Sequence, residues 1–187
     1  MDSDKPNSLR PFLLTAGILI ADQVSKALIV DLIPRNTIAV RGLGDFLWIV
    51  HARNTGIAFS MGDGLPPWMR MVLFSLLPLA LIAGILIYYF RTDETTPVQR
   101  WALAAIVGGG LGNVVDRLFR PEGVVDFVSV KFYGLLGMER WPTFNVADSA
   151  VVLGALLVAA TSLLAPGPGT AVRDEDGGSA GGGSLRA

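Results

Sequence analysis

Residues 145–164 read NVADSAVVLGALLVAATSLL, and this stretch decides the fold class. No charged residue follows Asp148 within it, and at 1.5 Å per residue a helix of this length crosses the roughly 30 Å hydrocarbon core of a bilayer. Three earlier stretches have the same length and character, at about residues 11–30, 68–90 and 101–118. The sequence therefore predicts an all-α membrane protein with four transmembrane helices.

Composition supports this class and excludes several others. Hydrophobic residues make up 51% of the 187 residues and charged residues only 17%, against about 25% in soluble domains. A net charge of −1 argues against a nucleic-acid partner. The chain has no cysteine and one histidine, which excludes disulfides, thiolate metal sites and an H-E-x-x-H zinc site, so we expect no metal and no cofactor.

The chain divides into one domain and a tail. Residues 1–165 contain all four predicted helices and form a single membrane domain. Residues 166–187 contain PGPG, DED and GGSAGGGS, a composition typical of disordered, solvated segments. We expect no folded structure in that tail.

Two of the connecting loops contain strand-like sequence. Residues 31–66 include DFLWIVHARN, and residues 119–143 include VVDFVSVKF, both rich in β-branched and aromatic residues. With four spans, the loop between the first two helices and the loop between the last two lie on the same side of the membrane. The sequence therefore predicts a small β-structure formed jointly by these loops.

The same parity places the polar residues of the helices on that side. These residues lie near the ends of the spans that face the two strand-bearing loops: Asp22, Lys26, Asn113, Asp116, Arg117, Asn145 and Asp148. Asp22 and Lys26 are four apart on one helical face and could simply neutralise each other. Asp116 and Arg117 at a helix end could equally be an interfacial anchor. The glycines at 108–110 and 112 predict a surface for close helix packing.

Asp126 and Asp148 are harder to explain as structural residues. Asp126 lies within VVDFVSV, where apolar neighbours raise the pKa of a buried carboxyl group. Two adjacent carboxylates cannot both ionise easily, so they share one proton. One can then activate a water molecule while the other donates to a carbonyl oxygen, as in aspartic proteases. The pair predicts a membrane aspartyl hydrolase, and a proton-coupled small transporter is the alternative.

Five sequence blocks resemble one family. They are Asp22-Gln-Val-Ser-Lys26, Asn54-Thr-Gly56-Ile-Ala-Phe59, Gly109-Gly-Leu-Gly-Asn113-Val-Val-Asp116-Arg117, Val125-Asp126-Phe127 and Phe144-Asn145-Val-Ala-Asp148-Ser149. In this order they resemble the bacterial lipoprotein signal peptidases, also called signal peptidase II, over about residues 10–165.

The resemblance implies an aspartic endopeptidase of the bacterial cytoplasmic membrane, with Asp126 and Asp148 as the catalytic dyad. Its substrate is a prolipoprotein cleaved before a diacylglyceryl-modified cysteine, and we expect a monomer in contact with membrane lipid. The supporting or substrate-binding residues that it implies are Asn54, Gly56, Asn113, Asp116, Arg117, Asn145, Asp22 and Lys26. It also implies that the loop carrying Asn54 and Gly56 forms part of an extracytoplasmic β-cradle over the substrate.

Basic residues divide evenly between the two sides, so charge alone leaves the orientation open. The resemblance implies cytoplasmic termini and an active site near the extracytoplasmic face.

Overall fold

A computed structural model of the chain describes residues 9–56 and 64–164. Four helices in this part are long and apolar enough to cross a membrane: α1 (Phe12–Leu32), α2 (Trp68–Arg91), α3 (Pro97–Phe119) and α4 (Val146–Leu164). The four predicted spans are thereby confirmed. The tail at 166–187, predicted to be disordered, lies outside the described residues.

Helix α3 begins earlier than the apolar pattern predicted. Pro97 occupies its first turn, where the missing N–H is not needed, and Thr96 caps it. The Thr96 hydroxyl accepts from the Gln99 N–H at 3.2 Å, and the Gln99 side chain accepts from the Thr96 N–H at 2.9 Å. This capping box satisfies two terminal N–H groups. Hydropathy does not register such polar capping residues, and the prediction therefore began the helix too late.

Helix α3 is the central helix of the bundle and packs against α1, α2 and α4. Two glycines permit this close packing. A Cβ at Gly109 would collide with the backbone carbonyl of Ala147 in α4, and one at Gly112 would lie 2.6 Å from Oδ2 of Asp22 in α1. The glycine surface predicted from sequence is confirmed, and it brings the polar residues of three helices together.

The two loops on one side of the bundle form a three-stranded antiparallel sheet. Its strands are β1 (Ile38–Gly42), β2 (Leu47–Asn54) and β3 (Val124–Val130), in the order β1-β2-β3. The predicted joint β-structure is confirmed, and the first loop contributes a hairpin to it.

The sheet lies against the ends of the helices. β3 packs on α1 and α3. Phe144, two residues before the start of α4, pairs with Val128 of β3. At the end of α1 the Ile33 carbonyl lies 2.8 Å from Nδ1 of the buried His51 in β2. These contacts place Asp126, on β3, next to the first turn of α4.

Candidate active site

A capping box at the start of α4 fixes Asp148. Asn145 precedes the helix, and its side-chain Oδ1 accepts from the Asp148 N–H at 2.9 Å. In return Oδ2 of Asp148 accepts from the Asn145 N–H at 3.0 Å. Each residue thus satisfies a terminal donor of the other. The positive end of the helix dipole also favours negative charge at Asp148.

Asp126 lies in the middle of β3 and is almost completely buried. Its Oδ1 accepts from Nδ2 of Asn145 at 2.7 Å, and its Oδ2 accepts from Nδ2 of Asn54 at 3.1 Å. Burial, and to a smaller extent the nearby charge of Asp148, raise the pKa of Asp126 to about 7. The bonds from Asn54 and Asn145 act in the opposite direction without cancelling this effect.

Asn145 and Asn113 connect the two carboxyl groups. Asn145 donates to both of them, from its side chain to Asp126 and from its backbone to Asp148. Asn113 of α3 donates from Nδ2 to Oδ1 of Asp148 at 2.7 Å, and its Oδ1 accepts from Nδ2 of Asn145 at 3.1 Å. The predicted convergence of these residues is observed in the geometry, because β3, α3 and α4 meet at this point.

Beneath the two aspartates lies a fully buried charge cluster, the Lys26 triad, consisting of Asp22, Lys26 and Asp116. Nζ of Lys26 lies 2.8 Å from Oδ2 of Asp22 and 3.1 Å from Oδ2 of Asp116. It also donates to Oδ1 of Asn113 at 3.0 Å. All three ammonium protons therefore have an acceptor, as a buried lysine requires.

The two carboxylates of the triad also accept hydrogen bonds from the backbone next to Asp126 and Asp148. Oδ1 of Asp22 accepts from the N–H of Ala147, one residue before Asp148. Oδ2 of Asp116 accepts from the N–H of Val125, one residue before Asp126. Asp22 and Lys26 are therefore more than a mutually neutralising pair. The interfacial-anchor alternative is wrong for Asp116, because its side chain is fully buried.

Gln23 contacts the Lys26 triad, although the sequence analysis did not identify it as a site residue. Its Nε2 lies 3.1 Å from each of three acceptors, on Asp22, Gly112 and Asp116. An amide inside an apolar helix, next to an aspartate, is the signal that could have identified it.

The other predicted site residues lie around the rim. Asn54 contacts Asp126 directly, whereas the N–H of Gly56 donates to Oδ1 of Asn54 and so fixes the orientation of that amide. Arg117 lies 6.0 Å from the centre of the Phe74 ring. It lines two cavities, one of about 290 Å³ beside Asn54 and one of about 400 Å³ beside Asp148.

The larger cavity is mainly apolar. It separates α2 from α4, and its apolar walls come from Pro78, Leu81, Ile82, Ile85, Val151 and Val152. Asn113, Arg117 and Asp148 form its polar end. The cavity therefore joins a surface suited to an apolar chain to the carboxyl group of Asp148. Among residues 9–56 and 64–164, no group of three or more histidine or acidic side chains is arranged to bind a metal ion.

Fold and site together define a polytopic membrane protein in which a buried carboxyl group and a partly buried one lie where the helices meet a small sheet. The sequence profile of Signal peptidase (SPase) II matches residues 14–164. The chain belongs to the signal peptidase II family and is thus a membrane-embedded aspartic peptidase of the bacterial inner membrane.

Curated relatives agree with this assignment. The lipoprotein signal peptidase of Treponema pallidum (strain Nichols) is 48% identical over 147 residues, covering 78% of this chain and 79% of the relative. That of Borrelia turicatae (strain 91E135) is 40% identical over 170 residues, covering 91% and 99%. A solved bacterial membrane enzyme superposes with a TM-score of 0.71 at 25% identity, covering 82% of this chain and 87% of the other. The family resemblance read from the five blocks is confirmed, and membership in a peptidase family gives the transporter alternative no support.

Proposed function

We propose that this protein removes the signal peptide from prolipoproteins by cleaving before a diacylglyceryl-modified cysteine, with Asp126 and Asp148 as the catalytic pair. One observation carries the proposal. Asn145 donates to both carboxyl groups, and the larger cavity opens on Asp148. Two carboxyl groups coupled in this way can share a proton and act as acid and base on one peptide bond.

We assign the shared proton to Asp126. This side chain is almost completely buried, which disfavours its charged form. Asp148 instead accepts from a backbone N–H in the first turn of a helix, where negative charge is favoured. Asp126 is therefore the initial acid and Asp148 the initial base.

The reaction then needs no other group. Asp148 takes a proton from a water molecule whose oxygen attacks the scissile carbonyl carbon, while Asp126 gives its proton to the carbonyl oxygen. The resulting diol collapses when the carbon–nitrogen bond breaks. The proton on Asp148 goes to the leaving amine, and one hydroxyl proton returns to Asp126. The products are the carboxyl end of the signal peptide and a free amine on the modified cysteine.

The cavity and the membrane position account for the substrate class. An apolar substrate chain in the cavity between α2 and α4 would stay in the hydrocarbon region while its cleaved bond lies at the carboxyl pair. Because prolipoproteins mature outside the cytoplasm, we place the sheet on the extracytoplasmic side and both termini in the cytoplasm. The carboxyl pair and its hydrogen-bond partners come from one chain, so a monomer is sufficient.

The test is a cleavage assay with purified protein and a diacylglyceryl-modified prolipoprotein. Asp126→Asn and Asp148→Asn should each lower turnover by about 10²–10⁴-fold, the usual contribution of an acid or base. Asp31→Asn is the matched control, because Asp31 is an exposed carboxylate at the end of α1, near the sheet. It should cleave at the unmodified rate.

Two results would contradict the proposal. Full turnover by either dyad variant would remove that aspartate from the catalytic pair. Equal cleavage of an unlipidated precursor would show that the lipid-modified cysteine is not the recognised feature. Circular dichroism and thermal melting of each variant separate loss of chemistry from loss of fold.

A further inference from the structure

Two turns at the end of the sheet farthest from Asn54 expose large apolar side chains. We call residues 43–46 and 133–138 together the sheet tip. Leu43 is 76% exposed and Leu136 is 79% exposed, and Tyr133 and Leu135 are exposed beside them. Exposing a leucine side chain to water is unfavourable, and a group of exposed apolar side chains often marks a surface that contacts another molecule or a membrane.

The backbone of the sheet tip makes this exposure more informative. Leu43 has φ of 51°, Tyr133 has φ of 53° and Leu136 has φ of 54°. Glycine or asparagine normally occupies such left-handed positions, because a bulky side chain is strained there. The same turns use glycine at Gly44 and Gly137. Leucine is thus present where a smaller residue would be more stable, and the strained positions are the exposed ones.

Arg140, which follows the second turn in the chain, ties the first turn of the sheet tip to β3. The guanidinium group donates to the carbonyls of Asp45 at 3.0 Å, Phe46 at 3.2 Å and Ser129 at 2.9 Å. It also lies 3.6 Å over the ring of Trp48. Leu43 therefore lies in a turn that is tied to the body of the sheet.

The position of the sheet brings the sheet tip close to the bilayer. β3 packs on α1 and α3, and His51 of β2 lies against the end of α1, so the sheet lies across the helix ends at the membrane boundary. Cations and aromatic rings accompany the tip: Lys131 lies 5.6 Å from the Tyr133 ring and Arg41 lies 4.8 Å from the Trp48 ring. Aromatic rings and basic side chains beside exposed leucines are typical of the lipid headgroup region.

We infer that the sheet tip is a membrane-contact surface, with Leu43, Leu135 and Leu136 inserted among the lipids of the leaflet on that side. Such contact would hold the sheet, and with it Asn54 and Asp126, at a fixed height above the helices. The inference goes beyond the proposed function and does not depend on peptidase activity.

The test uses a fluorescent label at the tip. The chain has no cysteine, so Leu136→Cys gives one site for an environment-sensitive dye. In vesicles of phosphatidylcholine and phosphatidylglycerol, the dye should emit at shorter wavelength than in water. Lipids that carry a nitroxide group near the headgroup should lower the fluorescence of this dye at least twofold. Glu139→Cys, an exposed polar position in the same loop, is the control and should be quenched less. Water-like emission and no quenching at Leu136→Cys would overturn the inference.

A second variant separates lipid contact from structural effects. Leu43→Asn with Leu136→Asn removes the apolar side chains and places at both positions a residue that tolerates the left-handed conformation. Its melting temperature in detergent should not fall, whereas the quenching of a dye at Leu135→Cys should drop by at least half. Unchanged quenching would refute the assigned role of the leucines. Dye burial in native membranes but not in vesicles of the purified protein would show that another protein, not lipid, covers the tip.

Discussion

Replacing the buried lysine tests whether the Lys26 triad supports the proposed catalytic pair, Asp126 and Asp148. Lys26→Met retains a flexible chain of similar length but removes the ammonium group that lies 2.8 Å from Asp22 and 3.1 Å from Asp116. Both carboxylates are fully buried, and they would be left without their shared cation. Breaking a buried ion pair in this way costs about 3–5 kcal/mol in the free energy of unfolding.

The assay is thermal melting in detergent micelles beside substrate cleavage. For a chain of this size each kcal/mol shifts Tm by about 2–4 °C, so Lys26→Met should melt roughly 6–20 °C lower. In the protein that remains folded, kcat should fall more than KM rises. The reason is that Asp22 and Asp116 bind the backbone N–H groups preceding Asp148 and Asp126.

Lys131→Met is the matched control, because its ion pair with Asp45 is partly exposed and 3.6 Å long. Such a pair contributes about 0–1 kcal/mol, so Tm should change little. Adding Asp22→Asn to Lys26→Met should recover part of the lost stability, since one uncompensated charge is removed. The reasoning is refuted if Lys26→Met melts within 2 °C (about 1 kcal/mol) of the unmodified protein and retains its turnover.

Two further predictions concern pH and packing. The pKa of Asp126 rises from 3.8 to about 7 in the folded protein. The folded state therefore holds a proton that the unfolded state has lost, and the free energy of unfolding falls as pH rises between these two values. Turnover should fall as pH rises above about 7, because Asp126 then loses the proton that it donates. Asn54→Ala removes a bond that lowers this pKa, and the falling limb of the kcat profile should move to higher pH; an unmoved limb would exclude Asp126 as its source. Gly112→Ala should lower Tm through about 1–3 kcal/mol of overpacking against Asp22, whereas Gly84→Ala, with nothing within 4 Å of the new Cβ, should not lower it. Equal melting of these two variants would contradict the close packing of α3.

Much of the fold could be predicted from the sequence, because hydrophobic length is a local property. Four apolar runs were enough to predict four spans, and their parity put the two strand-bearing loops and the polar residues on one side. Hydropathy alone does not predict the start of α3 at Pro97, because a polar capping box begins the helix before the apolar run. In the first loop, hydropathy also did not distinguish the hairpin of β1 and β2 from a single strand.

The sequence by itself determined the class of protein, the residues available for chemistry and the fact that they share one side of the membrane. Only the tertiary structure decided how they are paired: Asn145 joins the two aspartates, and Lys26 joins the carboxylates beneath them. The physical reason is that the contacts completing these two sets, Asn145 with Asp126 and Lys26 with Asp116, join residues of different elements. Their distances depend on how closely α1, α3 and α4 approach at Gly109 and Gly112, which no local pattern of residues records.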